Sequence, residues 1–398
     1  MPIIEQIQSY LPELTAIRRD IHAHPEIGFE ETRTAALVAD CLRRWGVDRV
    51  ETGIGRTGVV GVIQGRGEGP AIGLRADMDA LPMEEGAGLA YRSVHPGVFH
   101  GCGHDGHTAM LLGAARYLAE TRDFAGRVHV IFQPAEEGLG GATAMMEDGL
   151  FERFPCQEIY GIHNWPNSRT GWIGSRPGVA MAASSSFDVA ITGRGAHGAM
   201  PQQAIDPVMV AVTLAQAFQT IVSRNVEPRQ TAILSITELH AGSAYNVIPD
   251  SAVLRGTIRT FDAGVEALVV RRMQEITAGV AAAFGATATV TIRAGYPALV
   301  NSADHVAAAC RVAADIVGQQ NVDAEAVPLT GSEDFAFMLA QVPGAYLLVG
   351  QSGGGNLHNP AYVFDDTIIP IGASLLARIA EARLSNRWLS RHGAGKST

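Results

Sequence analysis

The sequence predicts an α/β protein of two domains, one inserted in the other. Three observations carry this. The chain has 398 residues, beyond the length at which a single hydrophobic core keeps growing. In residues 1–183 and again in 296–398, short apolar runs bounded by glycine alternate with segments of helical spacing, the pattern of strands buried on both faces. Between them, residues 184–295 change texture and give the order βαββαβ, the ferredoxin-like split pattern.

Residues 4–22 and 31–45 carry apolar positions at helical spacing. The break between them, His24-Pro25-Glu26-Ile27-Gly28, holds the proline and glycine that interrupt a helix. Gly58-Val-Val-Gly-Val-Ile63 and Ala71-Ile-Gly-Leu-Arg75 read as buried strands. The second runs into Arg75-Ala-Asp-Met-Asp-Ala-Leu81, which puts two carboxylates just past a strand end. Gly126-Arg-Val-His-Val-Ile-Phe132 ends in Gln133-Pro-Ala-Glu-Glu-Gly138, and Glu158-Ile-Tyr-Gly-Ile162 ends in His163-Asn-Trp-Pro166. Three strands thus deliver a ligand-type residue at the same kind of place. In open α/β sheets that place is where sites form.

In the insert, Ser186–Thr192, Thr231–Thr237, Ala252–Arg259 and Ala288–Arg293 read as strands. Asp206–Val222 is a helix with Asp206 as N-cap and Pro207 first, and Val265–Phe284 is the second helix. The outer domain resumes near Tyr296 with a helix near 303–318, Gly331-Ser-Glu-Asp-Phe-Ala-Phe337, a strand at Ala345–Gly350 and a Gly-rich loop reaching Leu357-His-Asn-Pro360. No internal repeat is present. The polar tail Arg387–Thr398 is expected to fray.

The composition is 47% hydrophobic and 18% charged, ordinary for a soluble globular enzyme, and the net charge of -10 argues against nucleic-acid binding. No apolar run is long enough to span a bilayer, so no membrane partner is expected. Met1–Tyr10 lacks the basic and apolar regions of a signal peptide. Four scattered cysteines (Cys41, Cys102, Cys156, Cys310) read as reduced thiols. Together these give a cytoplasmic expectation.

His100-Gly-Cys-Gly-His-Asp-Gly-His107 packs three histidines, a cysteine and an aspartate into eight residues. The apolar, helix-forming run Thr108–Leu118 follows, so the octet reads as a loop running into a buried helix. The helix dipole there favours a Cys102 thiolate and an ionised Asp105. Thiolate, imidazole and carboxylate together suit a first-row divalent metal better than calcium or magnesium. The competing reading is a Gly-rich turn with a free buried cysteine and solvated histidines.

Seven stretches in chain order resemble a known family. They are Arg19-Asp-Ile-His-Ala-His-Pro-Glu-Ile-Gly-Phe-Glu30, Arg75-Ala-Asp-Met-Asp-Ala-Leu-Pro82, the octet, Phe132-Gln-Pro-Ala-Glu-Glu-Gly138, Gly193-Arg-Gly-Ala-His-Gly198, Gly331-Ser-Glu-Asp-Phe335 and Leu357-His-Asn-Pro360. The chain resembles the M20 metallopeptidase/amidohydrolase family, in the branch of bacterial hippurate hydrolases, N-acyl-amino-acid amidohydrolases and plant auxin-conjugate hydrolases. The resemblance implies a zinc-peptidase-like catalytic domain holding two divalent metal ions (manganese, zinc, cobalt or nickel) and an inserted lid-and-dimerisation domain. It places the metal ligands on Cys102, His104, Glu137, His163 and His358, the general base on Glu136 and a lid histidine on His197. The lid histidine reaches the neighbouring subunit in that family, which implies a homodimer or a homotetramer. The wider family has a histidine where this sequence has Asp77; the loss is typical of the branch, with Cys102 compensating as a candidate bridge between the ions.

The implied reaction cleaves an N-acyl or N-aroyl amino acid to a carboxylic acid and an amino acid. Glu136 and Glu137 divide the work: one binds metal, and the other takes the water's proton and returns it to nitrogen. A paired glutamate is otherwise a solvated loop. His197 can donate to the oxyanion, against the reading of a surface-loop histidine. Asp79 orients a ligand histidine or caps a strand end. Asn246 and Arg259 are candidates for the substrate carbonyl and carboxylate, although a strand arginine is often only a surface residue. His22, His24, His95, His100, His107, His129, His240, His305 and His392 are not expected as ligands, with His100 and His107 at most behind them. The alternatives are a dipeptidase with the same machinery, a binding protein that has lost catalysis, and a structural zinc module.

Overall fold

The computed structural model describes residues 3–385. The expected tail at Arg387–Thr398 and His392 lie outside the described residues. Two compact units form. One comprises the described parts of Met1–Ala180, Val300–Val327 and Asp334–Thr398; the other comprises Met181–Leu299 with Pro328–Glu333.

The first unit opens with α1 (Glu5–Ala23) and α2 (Thr32–Arg44), on either side of the expected Pro/Gly break. Strands β1 (Arg49–Ile54), β2 (Gly58–Gln64) and β3 (Ala71–Asp77) precede α3 (His104–Thr121). Then come β4 (Arg127–Gln133), α4 (Gly141–Glu147), α5 (Leu150–Arg153), β5 (Glu158–Trp165), β6 (Ile173–Gly174) and β7 (Gly178–Met181). The start of α3 differs from expectation. The octet does not stay a loop; its last four residues make the helix's first turn, with Gly103 as N-cap at φ 92. Periodicity hid this because that turn is polar yet wholly buried.

The second unit runs β8 (Ala183–Thr192), β9 (Ala196–His197), α6 (Pro207–Arg224), β10 (Ala232–Ala241), β11 (Val247–Ile248), β12 (Ser251–Thr260), α7 (Ala263–Phe284) and β13 (Thr287–Ala294). Four strands form an antiparallel sheet in the order β10-β12-β8-β13. Period-two alternation in β8 turns Phe187, Val189 and Ile191 into a core shared with Leu214 and Phe218 of α6 and Val269 and Met273 of α7. The Asp206 carboxylate accepts from the Val208 N–H at 2.9 Å with Pro207 first in the helix, as the spacing predicts.

The chain returns through β14 (Leu299–Asn301), α8 (Ala303–Val317), β15 (Val322–Asp323), α9 (Phe335–Gln341), β16 (Gly344–Gly350) and α10 (Ile369–Arg383). The first unit's sheet has eight strands in the order β1-β2-β4-β3-β5-β16-β6-β15. Strands β4, β3, β5 and β16 are parallel neighbours. Every residue of β3 and β16 is buried, which explains their unbroken apolar runs. Their shared direction brings the carboxyl ends of β3, β4, β5 and β16 to one edge. The sequence pattern did not indicate β1 or α10. β1 is an edge strand of mixed polarity, and α10 is buried on nearly all sides, so it shows no polar face to set a period.

Candidate metal centre

Five donors from four segments meet at that edge. Cys102 and His104 come from the turn into α3, Glu137 from the loop after β4, His163 from β5, and His358 from the loop after β16. The donor atoms of Cys102, His104 and His163 lie within 4.8 Å of one another, and so do those of Cys102, Glu137 and His358. Cys102 belongs to both groups. A third group joins His104, Glu136 and Glu137. The His358 Nε2 is 3.1 Å from the Glu137 Oε1, and the Cys102 Sγ is 3.4 Å from the His163 Nε2.

Local backbone chemistry explains the convergence. Neighbouring strand residues face opposite ways, but Ala135 adopts a left-handed φ of 53 just before the paired glutamates, which breaks the alternation. Buried Glu31 holds that turn by accepting the Ala135 N–H at 2.8 Å. His358 is also left-handed, at φ 56, and its N–H donates to the Gly101 carbonyl at 2.9 Å, which ties the last donor to the octet. At Gly103 a Cβ would meet the Asn164 Oδ1 at 2.5 Å and the Tyr362 hydroxyl at 2.6 Å, so only glycine fits there.

Asp79 serves two donors at once. Its Oδ1 lies 3.2 Å from the His104 Nδ1, and its Oδ2 accepts the Glu137 N–H at 2.9 Å. The His104 ring therefore offers Nε2 to the pocket. That nitrogen is buried without a hydrogen-bond partner, while the Glu137 Oε1 has the His358 Nε2 at 3.1 Å. The His104 Nε2 and the Glu137 Oε1 stand 3.9 Å apart, too far to bond each other directly. The His163 Nδ1 is 2.7 Å from the Asn164 carbonyl oxygen, which leaves its Nε2 toward Cys102. This orphaned His104 nitrogen and the thiol–imidazole–carboxylate set fit divalent metal ions. Replacing Asp79 with alanine is expected to weaken metal affinity about 10- to 100-fold, measured by competition with a chelator. Unchanged affinity would remove Asp79 as an orienting group.

The protein groups alone set the protonation of this pocket. Burial, then Glu137, pushes the Cys102 thiol up. Hydrogen bonds to Cys102 and Glu137 hold His358 up at about 10. Burial, then His107, keeps His163 well below its ordinary value, so it is neutral and ready to ligate. At neutral pH, Cys102 and His358 therefore carry protons that a cation must displace. Metal affinity should rise with pH up to about 10, where His358 loses its proton, roughly tenfold per unit for each proton displaced. Titration calorimetry in buffers of different ionisation heat would detect the release, and no proton release would contradict it.

Behind the donors lies a buried polar layer. The Asp77 Oδ1 is 2.6 Å from the His107 Nδ1, and its Oδ2 accepts from the Arg75 Nη1 at 2.8 Å. Burial opposes the Asp77 charge, but His104, His107 and Arg75 outweigh it and hold its carboxyl well below the usual range. Asp105 accepts from the Arg18 Nη1 at 2.8 Å and lies 2.9 Å from the His22 Nδ1. Its ionisation thus has a paired cation beside it, besides the helix dipole that the sequence suggested. Arg75, Asp334, Asn164, Tyr362 and Glu31 were not singled out from the sequence. For Arg75 a signal existed: an arginine inside an apolar strand run must bury a partner with it.

His197, Asn246 and Arg259 belong to the second unit. His197 pairs with Val247 on the β9–β11 ribbon, and the Asn246 carbonyl accepts the Gly198 N–H at 2.7 Å, so these two are neighbours. His197 is exposed, and its Nδ1 accepts the Ala199 N–H at 3.0 Å, which leaves Nε2 as its donor. Arg259 stands apart on β12, half-buried, opposite Ile233 and Ser184. Among the described residues no helix is long and apolar enough to cross a membrane.

The family model for peptidase family M20/M25/M40 matches residues 73–382. The chain is 41% identical over 380 residues to hippurate hydrolase of Campylobacter jejuni, covering 96% of this chain and 99% of that one. It is 44% identical over 380 residues to N-acetyl-L-cysteine deacetylase of Bacillus subtilis, covering 95% and 90%. A solved structure from Bacillus subtilis, described as a dinuclear metal binding peptidase from the M20 family, matches with a TM-score of 0.82 at 33% identity and covers 95% of this chain and 99% of its own.

Proposed function

The chain belongs to peptidase family M20/M25/M40 and is a metal-dependent amidohydrolase of N-acyl amino acids, and we propose that it works through the pocket around Cys102. The observation that carries this is the buried, partnerless His104 Nε2 inside a set of five donors with Glu136 beside it. Cys102, His104, Glu137, His163 and His358 would hold two divalent ions, of manganese, zinc, cobalt or nickel, with Cys102 the donor common to two of the groups. When bound, such ions lower the pKa of water and share the charge that develops on the amide oxygen.

Glu136 takes the proton of the attacking water and returns it to the leaving nitrogen, so one carboxylate acts first as base and then as acid. The His197 Nε2–H donates to the oxyanion. Asn246 binds the substrate carbonyl, and Arg259 its carboxylate through a planar fork. In this reading residues 184–295 are a ferredoxin-like lid that also dimerises the chain, with His197 serving the neighbouring subunit. The residues flanking that insert, 1–183 and 296–398, are the catalytic domain, and the enzyme works in the cytoplasm.

The test is release of free amino acid from hippurate, N-acetyl amino acids, indole-acetyl conjugates and dipeptides, each with manganese, zinc, cobalt, nickel or chelator. Metal-dependent hydrolysis of an acylated class supports the proposal. Turnover that survives complete metal removal, or confinement to free dipeptides, would refute it.

A further inference from the structure

Arg75, Gln133 and Asp334 are each fully buried. The planar fork of Arg75 reaches Gln133, Asp77 and Asp334. Its Nε donates to the Gln133 Oε1 at 2.8 Å, its Nη1 to the Asp77 Oδ2 at 2.8 Å, and its Nη2 to the Asp334 Oδ1 at 3.2 Å. The Gln133 Nε2 donates to the same Asp334 Oδ1 at 2.7 Å, and the Ala142 N–H, in the first turn of α4, donates to Asp334 Oδ2 at 2.8 Å. Both carboxylate oxygens of Asp334 are thereby anchored, one to the ends of β3 and β4 and the other to α4. The main chain of Asp334 then turns outward to the site: its N–H donates to the Glu136 Oε1 at 3.3 Å.

We propose that Asp334, clamped by Arg75 and Gln133, is a positioning residue that sets the carboxylate of Glu136 through its own backbone N–H. The inference rests on Glu136 being the general base. A base on a loop after a left-handed residue has no strand to hold its side chain. A donor fixed on one carboxylate oxygen sets the plane of the group, and transfer of a proton is sensitive to that plane. Because Arg75 also grips Asp77, which bonds His107 under the metal ligands, one guanidinium references the base and the floor of the metal pocket to the same point.

The test is a double-mutant cycle between Asp334→Asn and Glu136→Gln, with kcat, KM, bound metal and melting temperature read for each protein. Asp334→Asn keeps the backbone N–H and the size of the side chain but loses an anchor. It should lower kcat about 10- to 100-fold with KM and metal content nearly unchanged. In the Glu136→Gln background the same change should lower the residual rate less than about twofold, since its effect travels through Glu136. Equal falls in both backgrounds, or metal loss that tracks the loss of rate, would overturn the proposal. Full activity of Glu136→Gln alone would instead overturn the reading of Glu136 on which it rests. Should Asp334→Asn fail to fold, Arg75→Lys and Gln133→Met, each removing part of the clamp, are expected to show the same non-additivity.

Discussion

Glu136→Gln should fold, hold its metal ions and lose about 10³- to 10⁴-fold in kcat, near the upper end of what one acid–base group supplies. The change is isosteric, and its amide oxygen can still accept the Asp334 N–H that reaches Oε1 at 3.3 Å in the native protein. What disappears is the site that takes the proton. Glu136 also shares a donor group with His104 and Glu137, so bound metal must be counted alongside the rate. Equilibrium dialysis and steady-state kinetics on the same preparation separate the outcomes. Metal retained with the rate lost identifies a base. Metal lost in proportion to the rate identifies a ligand.

Cys102→Ala should have a comparable effect by a different route. The thiol is the atom common to the two donor groups, one completed by His104 and His163 and the other by Glu137 and His358. Removing it leaves each group one donor short, and neither can recruit water to a buried position without cost. Bound metal is expected to fall below one ion per chain and kcat/KM by at least about 10³-fold, because activation of water depends on the ions. Added metal should recover little. Two ions retained at native affinity would show that Cys102 is not a shared ligand.

Much of this arrangement was legible in the sequence because each strand end announces itself. An apolar run stops, and a histidine or acid follows, as at Ile162-His163 or Phe132 to Glu137. Helix caps such as Asp206 before Pro207 were equally plain. The family and the reaction class could also be read, from motifs spread along the chain. What stayed hidden lacked periodicity or local cause. α10 has no exposed stripe, and the first turn of α3 is polar where a buried helix is expected to be apolar. The distant partners of Arg75 and Arg18, Asp334 and Asp105, lie 259 and 87 residues away, and no local pattern links them. The tilt of Glu136 and Glu137 to one side follows from the backbone of Ala135, whose left-handed φ is unusual for a residue with a Cβ.

The inserted unit also divides the donors in time. Cys102, His104, Glu137 and His163 precede it in the chain and His358 follows it, as does Asp366, whose carboxylate receives Arg18 from α1. On the proposed ligand set, a growing chain therefore carries a thiol and two imidazoles long before the last ligand, His358, exists. The inserted unit has its own core and can fold meanwhile. On that ligand set the metal site is complete only when the final segment docks.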